Sequence, residues 1–169
     1  MIGKLLSLSA LLCIADVSFA QRNIGKVGAT SSGVGLQYER LLLPRLSVSG
    51  QIGRTAIDTT INGVESEGRG TGLLLSARYY LLAGESPMEG LYVGPHYIRI
   101  GTEDDAGVET DVTSVGLSVG YQLVSASRFT AEIGLGLGSL DLESDRADVE
   151  LLDSLGFFPH VGIAVGYGF

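Results

Sequence analysis

The stretch "TDVTSVGLSVGYQL", residues 110–123, alternates without a break. Val115, Leu117, Val119, Tyr121 and Leu123 fall on one face, and Ser114, Gly116, Ser118, Gly120 and Gln122 on the other. Period-two alternation over this length predicts a strand. A soluble half-buried sheet wets its polar face and buries its apolar one. Here the second face is mostly Gly and Ser, and Gly has poor strand propensity. Small residues on one face suit the inner wall of a narrow barrel, where strands curve tightly and little room remains.

The pattern repeats on both sides. "FTAEIGLGLGSL" (129–140) sets Phe129, Ala131, Ile133, Leu135 and Leu137 against Thr130, Glu132, Gly134, Gly136 and Gly138. The terminal "FFPHVGIAVGYGF" (157–169) sets Val161, Ile163, Val165, Tyr167 and Phe169 against Gly162, Ala164, Gly166 and Gly168. Upstream, strands are predicted over 33–42, 46–57, 69–82 and 91–100, with a short, weak segment at 22–30. Pro95 predicts a bulge or edge-like irregularity in 91–100. Several of these segments reach or exceed the roughly 9–11 residues that cross a bilayer at a tilt. No long amphipathic helix follows residue 20.

The connections alternate too. "LPR" (43–45), "AGESPMEG" (83–90) and "VSASR" (124–128) are short or moderate. "DTTINGVESEG" (58–68), "GTEDDAGVE" (101–109) and "DLESDRADVELLDSLG" (141–156) are longer and acidic. Short turns at one end and long loops at the other are the layout of outer-membrane barrels. The expected fold is all-β: an eight-stranded antiparallel up-and-down transmembrane β-barrel. The count closes at eight only if 22–30 is a strand, and its partner is then the terminal strand.

The first twenty residues, "MIGKLLSLSALLCIADVSFA", read as a signal peptide. Lys4 supplies the positive start, Leu5 to Ala15 the apolar stretch, and Ser18-Phe19-Ala20 the small-residue cleavage site. Cys13 raises a lipoprotein alternative, but Leu12 stands where a lipobox needs a small residue. The barrel domain is then 21–169. The chain of 169 residues has a formal net charge of −8, from 11 Lys and Arg against 19 Asp and Glu. That balance argues against nucleic-acid binding, which needs clustered cations. One Cys excludes a disulfide framework. "GLGLG" (134–138) lies inside an alternating strand with no following helix, so it is not a phosphate-binding loop. No metal or other cofactor is expected: the acidic 141–153 stretch does not match a calcium loop.

Taken together, the leader, the eight alternating strands and the terminal aromatic resemble small outer-membrane barrels of the OmpA/OmpX type. "VGLQYERLLLPRLSVSGQIG", "ARYYLL", "GLYVGPHY" and the final "VGYGF" are similar to a group of such barrels of unassigned function. The resemblance implies a place in the outer membrane of a Gram-negative bacterium, after cleavage near Ala20. It implies partners in outer-membrane lipid and lipopolysaccharide, and in the assembly machinery, which would read Tyr167 and Phe169 as a C-terminal signal. A monomer is expected.

Three charged residues share the small-residue parity of their strands: Glu39, Arg78 and Glu132. They are expected to face inward as a charged network, with Gln37, Gln51 and Gln122 nearby, because buried charges need partners. The network is either a structural plug or a gate; the OmpA type holds such an interior network. Tyr38, Tyr79, Tyr121 and Tyr167, with Tyr80, lie near the inner strand ends and are expected as an aromatic girdle. His96 and His160 are the only histidines. Neither is followed by the His-x-Ser pattern of lipid A deacylase barrels, so no catalysis is expected. The role expected is structural, surface-interactive or limited small-solute permeation. The alternatives are a lipid A-modifying enzyme and a soluble periplasmic lipocalin-like binding barrel.

Overall fold

The computed structural model describes the backbone of residues 22–31, 33–61, 64–103, 109–144 and 156–169. The expected leader, 1–20, and the 145–155 stretch of the last acidic loop lie outside the described residues. The strands are β1 (Asn23–Thr30), β2 (Gly33–Leu43), β3 (Leu46–Ile61), β4 (Val64–Ala83) and β5 (Gly90–Glu103). They continue with β6 (Glu109–Val124), β7 (Phe129–Ser139), β8 (Asp141–Ser144) and β9 (Phe157–Gly168). β7 and β8 both pair with β6 in one register, Leu117↔Leu137 and Thr113↔Asp141, with Leu140 outside either strand. They are two lengths of a single stave, so the staves number eight.

Each stave runs antiparallel to its chain neighbours, and the first meets the last. β1 pairs along its length with β2 (Val27↔Leu36) and from Ile24 onward with β9 (Val27↔Val165). The weak 22–30 segment is therefore a full seam strand that closes the sheet on itself between β2 and β9. Closure lets strands lie in lipid, because backbone groups pair with neighbours and not with water. The outer surface matches: Leu36 is 67% exposed, Leu117 64% and Ile163 60%, within a continuous apolar band. In water such a band would be an unpaid hydrophobic surface far above a monomer's usual patch. Against acyl chains it is the solvated face. The fold is an eight-stranded antiparallel up-and-down transmembrane β-barrel.

Three expectations change. The stretch 58–68 is not a loop over most of its length. β3 and β4 stay paired up to Ile61↔Val64, which leaves two residues to connect them. The ladder continues as a paired hairpin where the sequence suggests a loop. The 101–109 connection likewise shrinks, since β5 runs to Glu103 and β6 begins at Glu109. Of the two outcomes expected at Pro95, the irregularity is found and the bulge is not: the β4–β5 ladder has a gap there. Ser76↔His96 and Tyr79↔Val93 keep one register across it, as expected of a residue with no N–H to give. The register shift in this pair of strands lies instead between Tyr80 and Leu82.

Inside, side chains stack in layers. At the short-turn end Ile24, Tyr80, Met88 and Tyr92 form an apolar cluster with Leu41 packed on it. Met88 comes from the β4–β5 turn, which folds back so that its side chain is fully buried. At the long-loop end Ile98, Ile100 and Val112 form a second cluster, with Leu74, Leu140 and Phe158 against it. The polar interior lies between the two.

Candidate functional site

The first polar layer above the Met88 cluster is ionic. Glu39 on β2, Arg78 on β4 and Glu132 on β7 meet across the lumen, and Lys26 on β1 joins them. Lys26 Nζ donates to Glu39 Oε2 at 2.6 Å and also to Glu132 Oε2 and to Gln122 Oε1. Arg78 Nη1 lies 3.0 Å from Glu39 Oε2, and Arg78 Nη2 lies 2.8 Å from Glu132 Oε1. Two cations thus alternate with two carboxylates, each cation touching both, so the layer is formally neutral. Side-chain exposure is 0% for Lys26 and Glu39 and no more than 8% for Arg78 and Glu132.

Neutral donors fill the remaining carboxylate lone pairs. Ser47 Oγ donates to Glu39 Oε1 at 2.5 Å, and the Tyr80 hydroxyl donates to the same oxygen at 2.7 Å. The Tyr92 hydroxyl donates to Glu132 Oε1 at 2.7 Å. The Arg78 guanidinium also lies over the Tyr92 ring, 4.6 Å from its centroid, a cation–π contact. Gln122 Nε2 donates to the Met88 carbonyl at 2.6 Å, tying the folded-back turn to the layer. Buried ions are tolerable only when paired and hydrogen-bonded in this way. β1 to β7 each contribute a side chain, and β9 contributes the absence of one. A Cβ on Gly166 would crowd Lys26 Cγ, at 2.7 Å.

Above the ionic layer is a chamber of about 40 Å³. Gln37, Gln51, Ser76, Ser118, His96 and His160 line it, and Arg78 and Glu132 reach its floor. The β7 glycines shape this space. A Cβ on Gly134 would sit 2.9 Å from the Tyr92 hydroxyl, and one on Gly136 would collide with the His160 ring. Each glycine of "GLGLG" is a seat for a larger side chain from another stave.

Sequence reasoning missed Lys26. It is the only lysine after Lys4, and it shares inward parity with Ile24 and Gly28, which was the available signal. Tyr38, Tyr79, Tyr121 and Tyr167 are exposed on the outer wall, at 44–55%. Tyr38 donates from its hydroxyl to Asn23 Oδ1 at 2.7 Å, at the start of β1 on the short-turn end. Tyr80 does not join them: it is fully buried in the lumen. Phe169 is exposed, and its backbone N–H bonds the Asn23 carbonyl at 2.8 Å across the seam. His96 makes no hydrogen bond through either ring nitrogen, and His160 makes none through Nδ1.

A lipid-facing apolar wall around a polar, ionically braced interior defines a small membrane-spanning β-barrel. Two crystal structures from Acinetobacter baumannii have the same fold, CarO with a TM-score of 0.54 and CarO2 with 0.53. Each is 11% identical to this chain and covers 88% of it, with 98% and 99% of their own chains matched. At that identity the likeness is one of fold alone. A family described as "Protein of unknown function (DUF3575)" matches residues 69–154, just over half of the 169, and the chain belongs to that family. No curated protein matches the sequence.

Proposed function

We infer that the protein is an integral barrel of a Gram-negative outer membrane with a structural or surface-interaction role, and that it does not conduct at rest. The ionic layer carries this reading. Its four charges are mutually satisfied, and the buried Ile24, Tyr80, Met88 and Tyr92 stand directly beneath it. A solute crossing the lumen must break at least one of those pairs and displace Met88. The lumen is therefore blind at the short-turn end, which the proposed orientation places in the periplasm. The acidic long-loop end then faces outward and offers the surface for interaction.

In this reading the leader is cleaved near Ala20, and the assembly machinery recognises Tyr167 and Phe169. Both are exposed at the end of the closing strand, where such a signal is accessible before the seam forms. Lipid and lipopolysaccharide surround a monomer. Two experiments test it. The protein should stay in membranes through a carbonate wash and show heat-modifiable gel mobility; release into the wash favours the soluble binding barrel. Reconstituted in planar bilayers, it should give no steady conductance, and ohmic single channels refute the closed lumen. A lipid A mass shift that depends on the protein's presence would establish the enzyme alternative instead.

A further inference from the structure

The chamber holds two groups that the ionic layer does not use. His96 projects from β5 and His160 from β9, and their rings meet edge to face, centroids 4.5 Å apart and planes at 84°. They are 3% and 7% exposed. Three of their four ring nitrogens are buried without a hydrogen-bond partner. Buried polar atoms are nearly always satisfied, so orphaned ones that share a cavity point to something that occupies it. The chamber of about 40 Å³ exceeds the roughly 10–15 Å³ that one water-sized species needs. A second cavity, of about 20 Å³, shares Thr30, Gln51 and Leu74 with it and continues to Gly33 and Arg54 toward the long-loop end.

We propose that His96 and His160 together bind one divalent transition-metal ion, of the class of Zn²⁺, Ni²⁺ and Cu²⁺. Neutral imidazole suits these ions, and it is the commonest protein ligand for metals. Two imidazoles bound side by side to one ion at about 2.0–2.1 Å hold their ring centres roughly 4.5–5 Å apart. The observed centroid spacing of 4.5 Å lies at the short end of that range, and ion binding turns the rings from their edge-to-face contact so that one nitrogen of each faces the metal. Water completes the shell, and the Ser118 hydroxyl, which donates to the Gly94 carbonyl, lines the chamber beside it. Ser118 pairs with Gly136 on β7, and Gly136 with His160 on β9, and the missing Cβ at Gly136 is what seats the His160 imidazole against that wall. Among the described residues no cluster of three or more His, Cys, Asp or Glu forms a metal site. Glu132, the carboxylate on the chamber floor, is held by Lys26, Arg78 and Tyr92. The site is therefore a two-imidazole, water-completed one. Hard cations such as Ca²⁺, which require several oxygen ligands, are not served.

The test is a Zn²⁺ titration of the folded, detergent-solubilised barrel by calorimetry at neutral pH. One saturable equivalent is expected, with Ca²⁺ giving none at the same site. His96→Gln and His160→Gln should each weaken binding by at least about tenfold. Heat-modifiable gel mobility verifies that each variant is folded. Absent binding, or affinity unchanged in either variant, overturns the proposal; in the second case the acidic loops are the ligands. If a variant does not fold, the unaltered barrel decides through its ¹⁵N-labelled histidines. Zn²⁺ must shift both imidazole signals, and stationary signals refute the site.

Discussion

Replacing Lys26 with Met removes one cation and leaves Glu39 and Glu132 to share Arg78. Lys26 makes two of the ion pairs in the layer, and both of its carboxylate partners are at least nine-tenths buried. The layer then carries one uncompensated negative charge. Breaking a buried pair by deleting one partner costs about 3–5 kcal/mol, mostly because the other charge stays buried. The adjoining chamber can hydrate the floor, so the lower end, about 3 kcal/mol, is the better value. At about 1.4 kcal/mol per decade that is a loss of roughly 100-fold in the folded-to-unfolded ratio. Adding Glu132→Gln to Lys26→Met restores neutrality, with Arg78 and Glu39 still paired. The double variant should be more stable than Lys26→Met alone, although it has lost more bonds. A coupling of about 1–3 kcal/mol is expected. The assay is reversible urea unfolding of each protein in phospholipid vesicles, extrapolated to zero denaturant. If Lys26→Met stays within about 1 kcal/mol of the parent, or the double variant falls to the sum of the singles, charge balance is not what holds the layer.

Three further outcomes follow from packing. Gly136→Ala should destabilise by about 1–3 kcal/mol, because the new methyl meets the His160 ring. Gly50→Ala, whose methyl would lie 3.4 Å from the movable Leu75 Cδ2, should stay within about 0.5 kcal/mol, and the same urea series separates the two. Met88→Ala should cost about 2–5 kcal/mol and give intermittent conductance in planar bilayers, since it removes the apolar floor. An unchanged midpoint would mean that the turn collapses into the gap. Leu117→Arg places a cation on the lipid face well above the Tyr121 level and should cost about 2–4 kcal/mol. The identical change at Leu82, beside the short-turn end, should cost about 0–1 kcal/mol, and equal penalties would argue against a membrane belt.

Much of the architecture could be read from period-two alternation, because lipid outside and a cramped lumen inside sort residues by size as sharply as water and core do. Leu117 and Gly116 need no structure to be told apart. Parity orients Glu39, Arg78 and Glu132, but periodicity does not contain the stagger between staves, so it cannot say which charges meet. Lys26 was hidden in a short segment of small residues whose strand character comes from two partners, β2 and β9. The length of β3 and β4 was hidden because charged residues such as Asp58, Glu65 and Glu67 look like loop, although Asn62-Gly63 between alternating segments is a strong hairpin signal. Met88 left no trace: a turn residue that folds back into a barrel has no period to betray it. The meeting of His96 and His160, 64 residues apart, is likewise a property of closure and not of either segment.

The ionic layer also dates its own formation. Lys26 comes from the first stave and reaches Glu132, 106 residues away on the seventh, while Glu39 is only 13 residues from Lys26. An open sheet can assemble the near pair early, but Glu132 meets Lys26 only when β9 docks on β1. Until then Glu132 lacks its Lys26 partner, the layer is one ion pair short, and that side of it stays hydrated. Water therefore leaves the lumen last, after the seam is zipped, and the final stave locks a charge pattern that its predecessors hold incomplete. A barrel released with β9 unpaired would carry that wet, unbalanced interior, and would be recognisable as unfinished by its hydration alone.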